Sequence, residues 1–349
     1  MSDSIIHKDT LGLNDVTPET KMSGEIECPS CDKEMKLNIT ATKMSGQIEC
    51  PSCAEEMNLD VTAKKKTEMD GPSDNNHAFF AYGIFRRGEL GFLSIADLVE
   101  RVVGSASVSG NLFLRDGLPI IDPLSRGGEG VPGHLIYFKD GHHREAYARI
   151  NRLEPYQQYK WKETTAQGVR CNYLVGRSPR KGSVYADEGW EGRNDPLFVA
   201  ALQVVQDALE LNADFEWDLK PMFGLQMAYL LLWSSIERYS SLRYHLGTRA
   251  TAKVMQMADD PQFKALLKKR VSRKHRVRRT DRPKGHCQLN RDKPRSSLSY
   301  YYQIRHNITH RGKGVIGDHK VVKESLSELL DIFKELLDTA FESSLNWSP

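Results

Sequence analysis

The chain has 349 residues, room for two or three domains each with its own core, with 39% hydrophobic content and a net charge of +3. No run approaches ~18 uninterrupted apolar residues, which excludes a membrane-spanning helix. The opening MSDSIIHKDTLGLND lacks the basic, apolar and small-residue progression of a secretory signal, so a cytoplasmic location is expected.

Residues 1–20 read as a disordered tail. An internal repeat follows: KMSGEIECPSCDKEMKLNITAT at 21–42 recurs as KMSGQIECPSCAEEMNLDVTAK at 43–64, offset by 22 residues. Each copy reads as strand, CPSC turn, strand, with Met35, Leu37, Ile39 and Met57, Leu59, Val61 alternating along the second strand. A C-x2-C turn presents two thiolates from one loop, and a tetrahedral zinc ion takes four. Cys28 and Cys31 form one pair and Cys50 and Cys53 the other, with eighteen residues between, inside the spacing of four-cysteine zinc sites. One structural zinc would then join two hairpins that are each too small to hold a core. Residues 21–63 resemble a zinc ribbon, a small β module, and 64–77 read as a charged, then Pro/Gly/Asn-rich linker.

From 78 to 186 short apolar runs are broken by glycine. AFFAYGIF reads as a buried strand entering a turn, FLSIADLVERVVG as an amphipathic helix closed by Gly104, and SVSGNLFLRDGLPIID as a hairpin. GHLIYFKD is another strand, and HHREAYARINRLE is a helix with Ala146, Ile150 and Leu153 on its apolar side. YKWKETTA and RCNYLVGRSP complete the strands of an α+β or small-barrel domain. Residues 187–195 read as a second connector.

Beyond Pro196 the chain turns helical. PLFVAALQVVQDALELN, MFGLQMAYLLLWSSIERYSSLRYHLG, RSSLSYYYQIRHNITHRG and DHKVVKESLSELLDIFKELLDTAF predict an all-α bundle over 196–343. Within it, 268–295 shows no helical stripe and reads as a basic loop; between Lys264 and Arg295 fourteen Lys or Arg stand against two Asp. Lys268, Lys269, Arg270, Arg273, Lys274, Arg276, Arg278 and Arg279 would attract a phosphate backbone with salt-sensitive affinity. Tyr300, Tyr301 and Tyr302, just beyond, could stack on unpaired bases.

Two resemblances add chemistry to this frame. FFAYGIFRRGELGF and EAYARINRLEPYQQYKW resemble the gamma-glutamylcyclotransferase-like family over about 78–186, with its turn after the first strand, its helix ending in glutamate and its tyrosine-bearing strand. The resemblance implies an open turn, Tyr82-Gly83-Ile84-Phe85, offering backbone N–H groups to a substrate carboxylate, with Tyr159 among the binding residues. It also implies that Glu154 acts as general base in releasing 5-oxoproline. Ile84, Phe85 and Pro155 depart from the family's usual residues, so a domain that only senses a γ-glutamyl or related ligand fits equally well.

YYYQIRHNITHRGK, with the preceding LLLWSSIERYSSL, resembles the R-x4-6-H signature of the HEPN superfamily over roughly 196–343. Many members are RNA-cutting toxins or defence nucleases of prokaryotes. The resemblance implies a metal-independent site in which His310 serves a 2′-hydroxyl as general acid or base, Arg305 holds the phosphate, and His306 is a polar companion. Arg305 and His310 lie about 140° apart on an ideal helix. They converge only if the helix frays or a second subunit supplies its pair, and the resemblance implies a homodimer. His306 and His310 do share a face, but position 307 is Asn and not the Glu of an HExxH metal site. The expectation is a multidomain endoribonuclease with RNA as partner. The alternatives are an active cyclotransferase with a helical oligomerisation domain, and a non-catalytic RNA-binding adaptor.

Overall fold

The computed structural model describes residues 21–27, 34–40, 43–49 and 56–62, the backbone only, and then 71–349 apart from 73, 124–129, 155–157, 187–188, 212–218, 245–249, 280–284 and 312–318. The chain divides into two compact units, 1–68 and 69–349.

In the first unit, strands β1 (Lys21–Glu27) and β2 (Glu34–Thr40) pair antiparallel from Lys21↔Thr40 to Glu27↔Glu34. Strands β3 (Lys43–Glu49) and β4 (Glu56–Thr62) repeat that register, from Lys43↔Thr62 to Glu49↔Glu56. Met35, Leu37 and Ile39 therefore share one face of β2, as their period of two requires. Cys28, Cys31, Cys50 and Cys53 lie outside the described residues.

The second unit begins with β5 (Ala78–Ala81), buried throughout. Next come β6 (Val99–Val108), β7 (Asn111–Arg115), β8 (Leu118–Asp122), β9 (Val131–Phe138), helix α1 (His143–Leu153), β10 (Tyr159–Ala166), β11 (Val169–Gly176) and the short β12 (Val184–Tyr185). One sheet runs β10-β11-β5-β9-β6, with only the β11–β5 pair parallel; a second runs β12-β7-β8. The outer strands of the first sheet, β10 and β6, approach each other without a ladder, so hydrogen bonds do not close a barrel among the described residues. Tyr147 of α1 packs edge-on against Phe79, Phe138 and Trp161 and pins the helix to this sheet.

The expected helix at 92–104 is corrected. Residues Leu90–Ser94 and Ala96–Leu98 form 3-10 turns, and Val99 onward is strand, with Gly104 inside it. Register shifts between Val99 and Arg101 and between Val103 and Ala106 break the period of two, so the stretch imitates a helical pattern.

The helices are α2 (Ala200–Leu211), α3 (Leu219–Arg243), α4 (Ala250–Gln256), α5 (Pro261–Arg270), α6 (Pro294–Arg311) and α7 (His319–Leu345). Fully buried Tyr229, Leu232, Trp233 and Ile236 make α3 the central helix, packed against α2, α4, α6 and α7. None of the described helices is long and apolar enough to cross a membrane. The expected basic loop is also corrected: its first residues end α5, and strands β13 (His275–Arg278) and β14 (His286–Leu289) form an antiparallel hairpin on α6.

The sequence boundary at 187–195 lies inside the second unit. Trp190 and Asp195 are buried there. Trp190 Nε1 donates to the Gly117 carbonyl at 2.8 Å, and Arg238 of α3 binds both the Asp195 carboxylate and the Asp116 carbonyl at 2.9 Å. The end of α7 closes on the turn after β5. Gly88 N–H donates to Ser344 Oγ at 3.0 Å, Ser344 Oγ–H to the Glu89 carbonyl at 2.8 Å, and Arg87 Nε to the Leu345 carbonyl at 2.9 Å. The Glu89 carboxylate accepts from Arg86 Nη2 and from Gly192 N–H. A Cβ on Gly192 would collide with it, and the Glu89 carboxylate would have to shift.

Candidate functional site

Helix α6 is seated by its first turns. Ser296 Oγ donates to the Gln288 carbonyl at 2.7 Å and Ser297 Oγ to the Asn290 carbonyl at 2.7 Å, tying the helix start to β14. Tyr300 and Tyr301 are fully buried: the Tyr301 hydroxyl donates to Glu328, and Tyr300 shares a hydrogen bond with Ser325 at 3.1 Å. Neither ring is open to a base, which corrects the stacking expectation for these two. Tyr302 is half-buried, edge-on to Trp233 at 5.3 Å, with the Arg305 guanidinium over its ring at 5.3 Å.

Arg305 Nη2 pairs with Glu237 Oε1 of α3 at 3.0 Å, each side chain 29% exposed. Its Nη1 donates to the Tyr302 hydroxyl at 3.3 Å. His306 is half-buried on the same helix. The backbone of His310 belongs to α6, and its side chain lies outside the described residues. Because α6 continues to Arg311, helix geometry sets Arg305 and His310 on different faces of one chain.

The eight cations named from the sequence sort into two groups. Lys269 Nζ and Arg270 Nη2 bind Glu335 at 2.5 and 2.9 Å, and these hydrogen bonds hold the Glu335 carboxyl below its usual range. Arg273 pairs with Glu324 and Glu328 on α7. Lys268, Lys274, Arg276 and Arg278 are exposed and have no acidic partner among the described residues, and Arg279 is half-buried. Alternation along β13 turns His275 and Val277 toward the fold and leaves Arg276 and Arg278 outside, with Lys274 in the same phase. Asn307 Nδ2 then donates to the Arg278 carbonyl at 2.9 Å. That bond ties the basic strand to α6 on the side of the helix away from Arg305, since residues two apart lie about 160° apart around its axis.

No protein-family model, curated protein or solved structure matches the chain.

The second cluster lies in the sheet half. Tyr82, Gly83, Ile84, Phe85, Glu154 and Tyr159 line one cavity with Pro119 as part of its wall. The space within is about 20 Å³, enough for roughly one water molecule. Glu154 caps the C-terminal end of α1, its N–H bonded to the Ile150 carbonyl at 3.0 Å in an extended conformation. The residue is half-buried, but its carboxyl lies inside, and burial pushes its pKa from 4.5 to about 8. Burial, and then the Glu154 charge, raises the Tyr82 and Tyr159 hydroxyls too, which sets all three groups in one field. The Tyr159 hydroxyl donates to the Pro119 carbonyl at 2.9 Å. The Tyr82 hydroxyl interacts weakly with the Ile121 backbone and makes no full hydrogen bond.

The expected open turn is closed. Tyr82, Ile84 and Phe85 are at most 5% exposed, and a Cβ on Gly83 would stand 2.7 Å from Pro119 Cγ. Glycine here lets the β8 strand close over the turn, not a substrate approach it.

Sequence reasoning missed Glu237, Asn307 and the commitment of Lys269, Arg270 and Arg273 to α7. One signal for Glu237 was available: it is an acid inside WSSIERY, beside fully buried Ile236, where the apolar stripe has no need of charge.

Proposed function

We propose that the chain is a metal-independent endoribonuclease of the HEPN type, with Arg305 and His310 as its reacting pair. The observation that carries this reading is the Asn307–Arg278 hydrogen bond, which fastens a strand of exposed, acid-free cations to α6, the helix that carries Arg305 and His310. Lys274, Arg276 and Arg278 would hold an RNA backbone by its phosphates and deliver one phosphodiester to α6. His310 removes the proton from the 2′-hydroxyl, the 2′-oxygen attacks the adjacent phosphorus, and the P–O5′ bond breaks. The 5′-oxygen takes up a proton, leaving a 2′,3′-cyclic phosphate and a 5′-hydroxyl. Arg305 balances the charge gained by the phosphoryl oxygens.

Continuity of α6 to Arg311 supports a two-chain site, since one helix does not face both residues inward. Phe223 and Met227 of α3, 51% and 67% exposed, lie on the helical stripe 223-227-230-234-237 that leads to Glu237. An apolar stripe ending at the Arg305 ion pair fits a second copy of this chain. In the same reading the matched hairpins of the first unit hold one zinc through Cys28, Cys31, Cys50 and Cys53 and serve recruitment. The resemblance places such a nuclease in a defence or toxin system, with the Glu154 cavity sensing a small ligand. A cavity of about 20 Å³ is far below the hundreds of Å³ of a ligand pocket, which weighs against steady cyclotransferase turnover.

The test uses the full chain with total RNA and a chelator present. Cyclic-phosphate-ended fragments are expected from the native protein, and intact RNA from Arg305→Ala and His310→Ala that remain folded by circular dichroism. RNA left whole by a dimeric native protein overturns the nuclease, and RNA retention without cleavage promotes the adaptor reading.

A further inference from the structure

We propose that Glu237 is a built-in competitor for the phosphate-binding edge of Arg305, a carboxylate that RNA must displace before the guanidinium can engage it. This rests on the reading of Arg305 as the phosphate-holding residue. A guanidinium grips a phosphodiester best through two parallel N–H donors. Both terminal nitrogens of Arg305 are already occupied, Nη2 by Glu237 at 3.0 Å and Nη1 by the Tyr302 hydroxyl at 3.3 Å.

The contact has the marks of an exchangeable pair. Its two side chains are each 29% exposed. The fixed pairs of the same fold look different. Arg238 binds Asp195, which is 2% exposed, and also the Asp116 carbonyl. Arg273 holds two carboxylates and Ser325. A partly exposed single pair is favoured over its open form by a factor of roughly five or less, well within reach of a polyanion.

The pair is also dispensable for packing. Beneath it, α3 and α6 are joined by the Tyr229 hydroxyl donating to the Tyr301 carbonyl at 2.9 Å and by the Trp233–Tyr302 ring contact. Glu237 is thus a negative charge on the Arg305 side of α6, while the strand bearing Arg276 and Arg278 is fastened to that helix through Asn307 on its other side. A carboxylate there opposes RNA, and only a strand already gathered by the hairpin supplies enough local phosphate to replace it. Short nucleotides that miss the hairpin would leave Arg305 paired with Glu237.

The experiment measures binding of fluorescein-labelled single-stranded oligouridylate RNA to the full chain by polarisation at about 0.1 M salt, close to physiological screening. Four proteins are compared: native, Glu237→Gln, Arg305→Ala, and the double variant. Glu237→Gln is expected to bind about fivefold more tightly than native protein. That gain should vanish in the Arg305→Ala background. Unchanged or weaker binding by Glu237→Gln overturns the competitor and makes Glu237 a positioning residue. An equal gain with Arg305 absent reduces it to a general charge effect, which also overturns it. Failure of the underlying reading looks different, because Arg305→Ala would then bind RNA as well as native protein, or no protein would bind at all.

Discussion

Glu154 shows how one residue reports its surroundings through pH. Its folded-state pKa of about 8 lies above its ordinary 4.5, so the folded chain holds a proton that the unfolded chain releases as pH rises. The stability this gives is complete below about pH 4.5, declines above it, and is gone once pH passes about 8. Glu154→Gln removes that dependence. Its melting temperature relative to native protein should rise between pH 4.5 and pH 8, by ~2 °C or more for each kcal/mol regained. A melting difference that stays flat over the range would mean that the carboxyl is solvated. Glu89, raised to about 7 chiefly by burial, acts with the same sign over a narrower window. Glu154 could be picked out from the chain because it ends a recognisable helix. The Glu237–Arg305 pair could not, because neither residue's local pattern names the other.

At the scale of elements, the hairpin leaves Lys274, Arg276 and Arg278 exposed while Lys269, Arg270 and Arg273 pair with α7, so under the proposed function only the first group is free to meet RNA. Replacing Lys274, Arg276 and Arg278 together by Ala should weaken RNA binding and lower the slope of log affinity against log salt by about 2 to 3. Replacing Lys269 and Arg270 should leave that slope nearly unchanged, since Glu335 already occupies both. Equal slope losses in the two variants would dissolve the distinction between spare and committed cations. The hairpin was hidden because its strands have four residues each, too few for a period of two to stand out from charge. The strand at Val99–Val108 was hidden by its bulges, whose local phase changes resemble a helical stripe. By contrast α3 and α7 have 25 and 27 residues and carry their apolar patterns over many turns, so the sequence announces them plainly.

For the whole molecule, the open question in the sequence was how its parts combine. Composition marks 187–195 as a connector, yet long-range bonds from Trp190 and Asp195 bind it into a unit of residues 69–349. Such contacts depend on partners far along the chain and leave no local trace. Assembly can be judged from the exposed stripe of α3. Phe223→Asp with Met227→Lys should convert a two-chain particle to one chain by light scattering, abolish RNA cleavage and spare RNA binding. A native protein that is already a single chain at micromolar concentration, or a double variant that still cuts RNA, would remove the dimeric site.

The clamp of Ser344 on Gly88 and Glu89 also bears on how the protein is made. Its two halves are 256 residues apart, so the turn after β5 waits roughly 13–50 s of synthesis for its partner at ordinary ribosomal rates. Until then the Gly88 amide and the Phe92 ring lack the cover that Ser344 and Trp347 provide. A chain that stops short of Ser344 therefore leaves the turn after β5 without that cover.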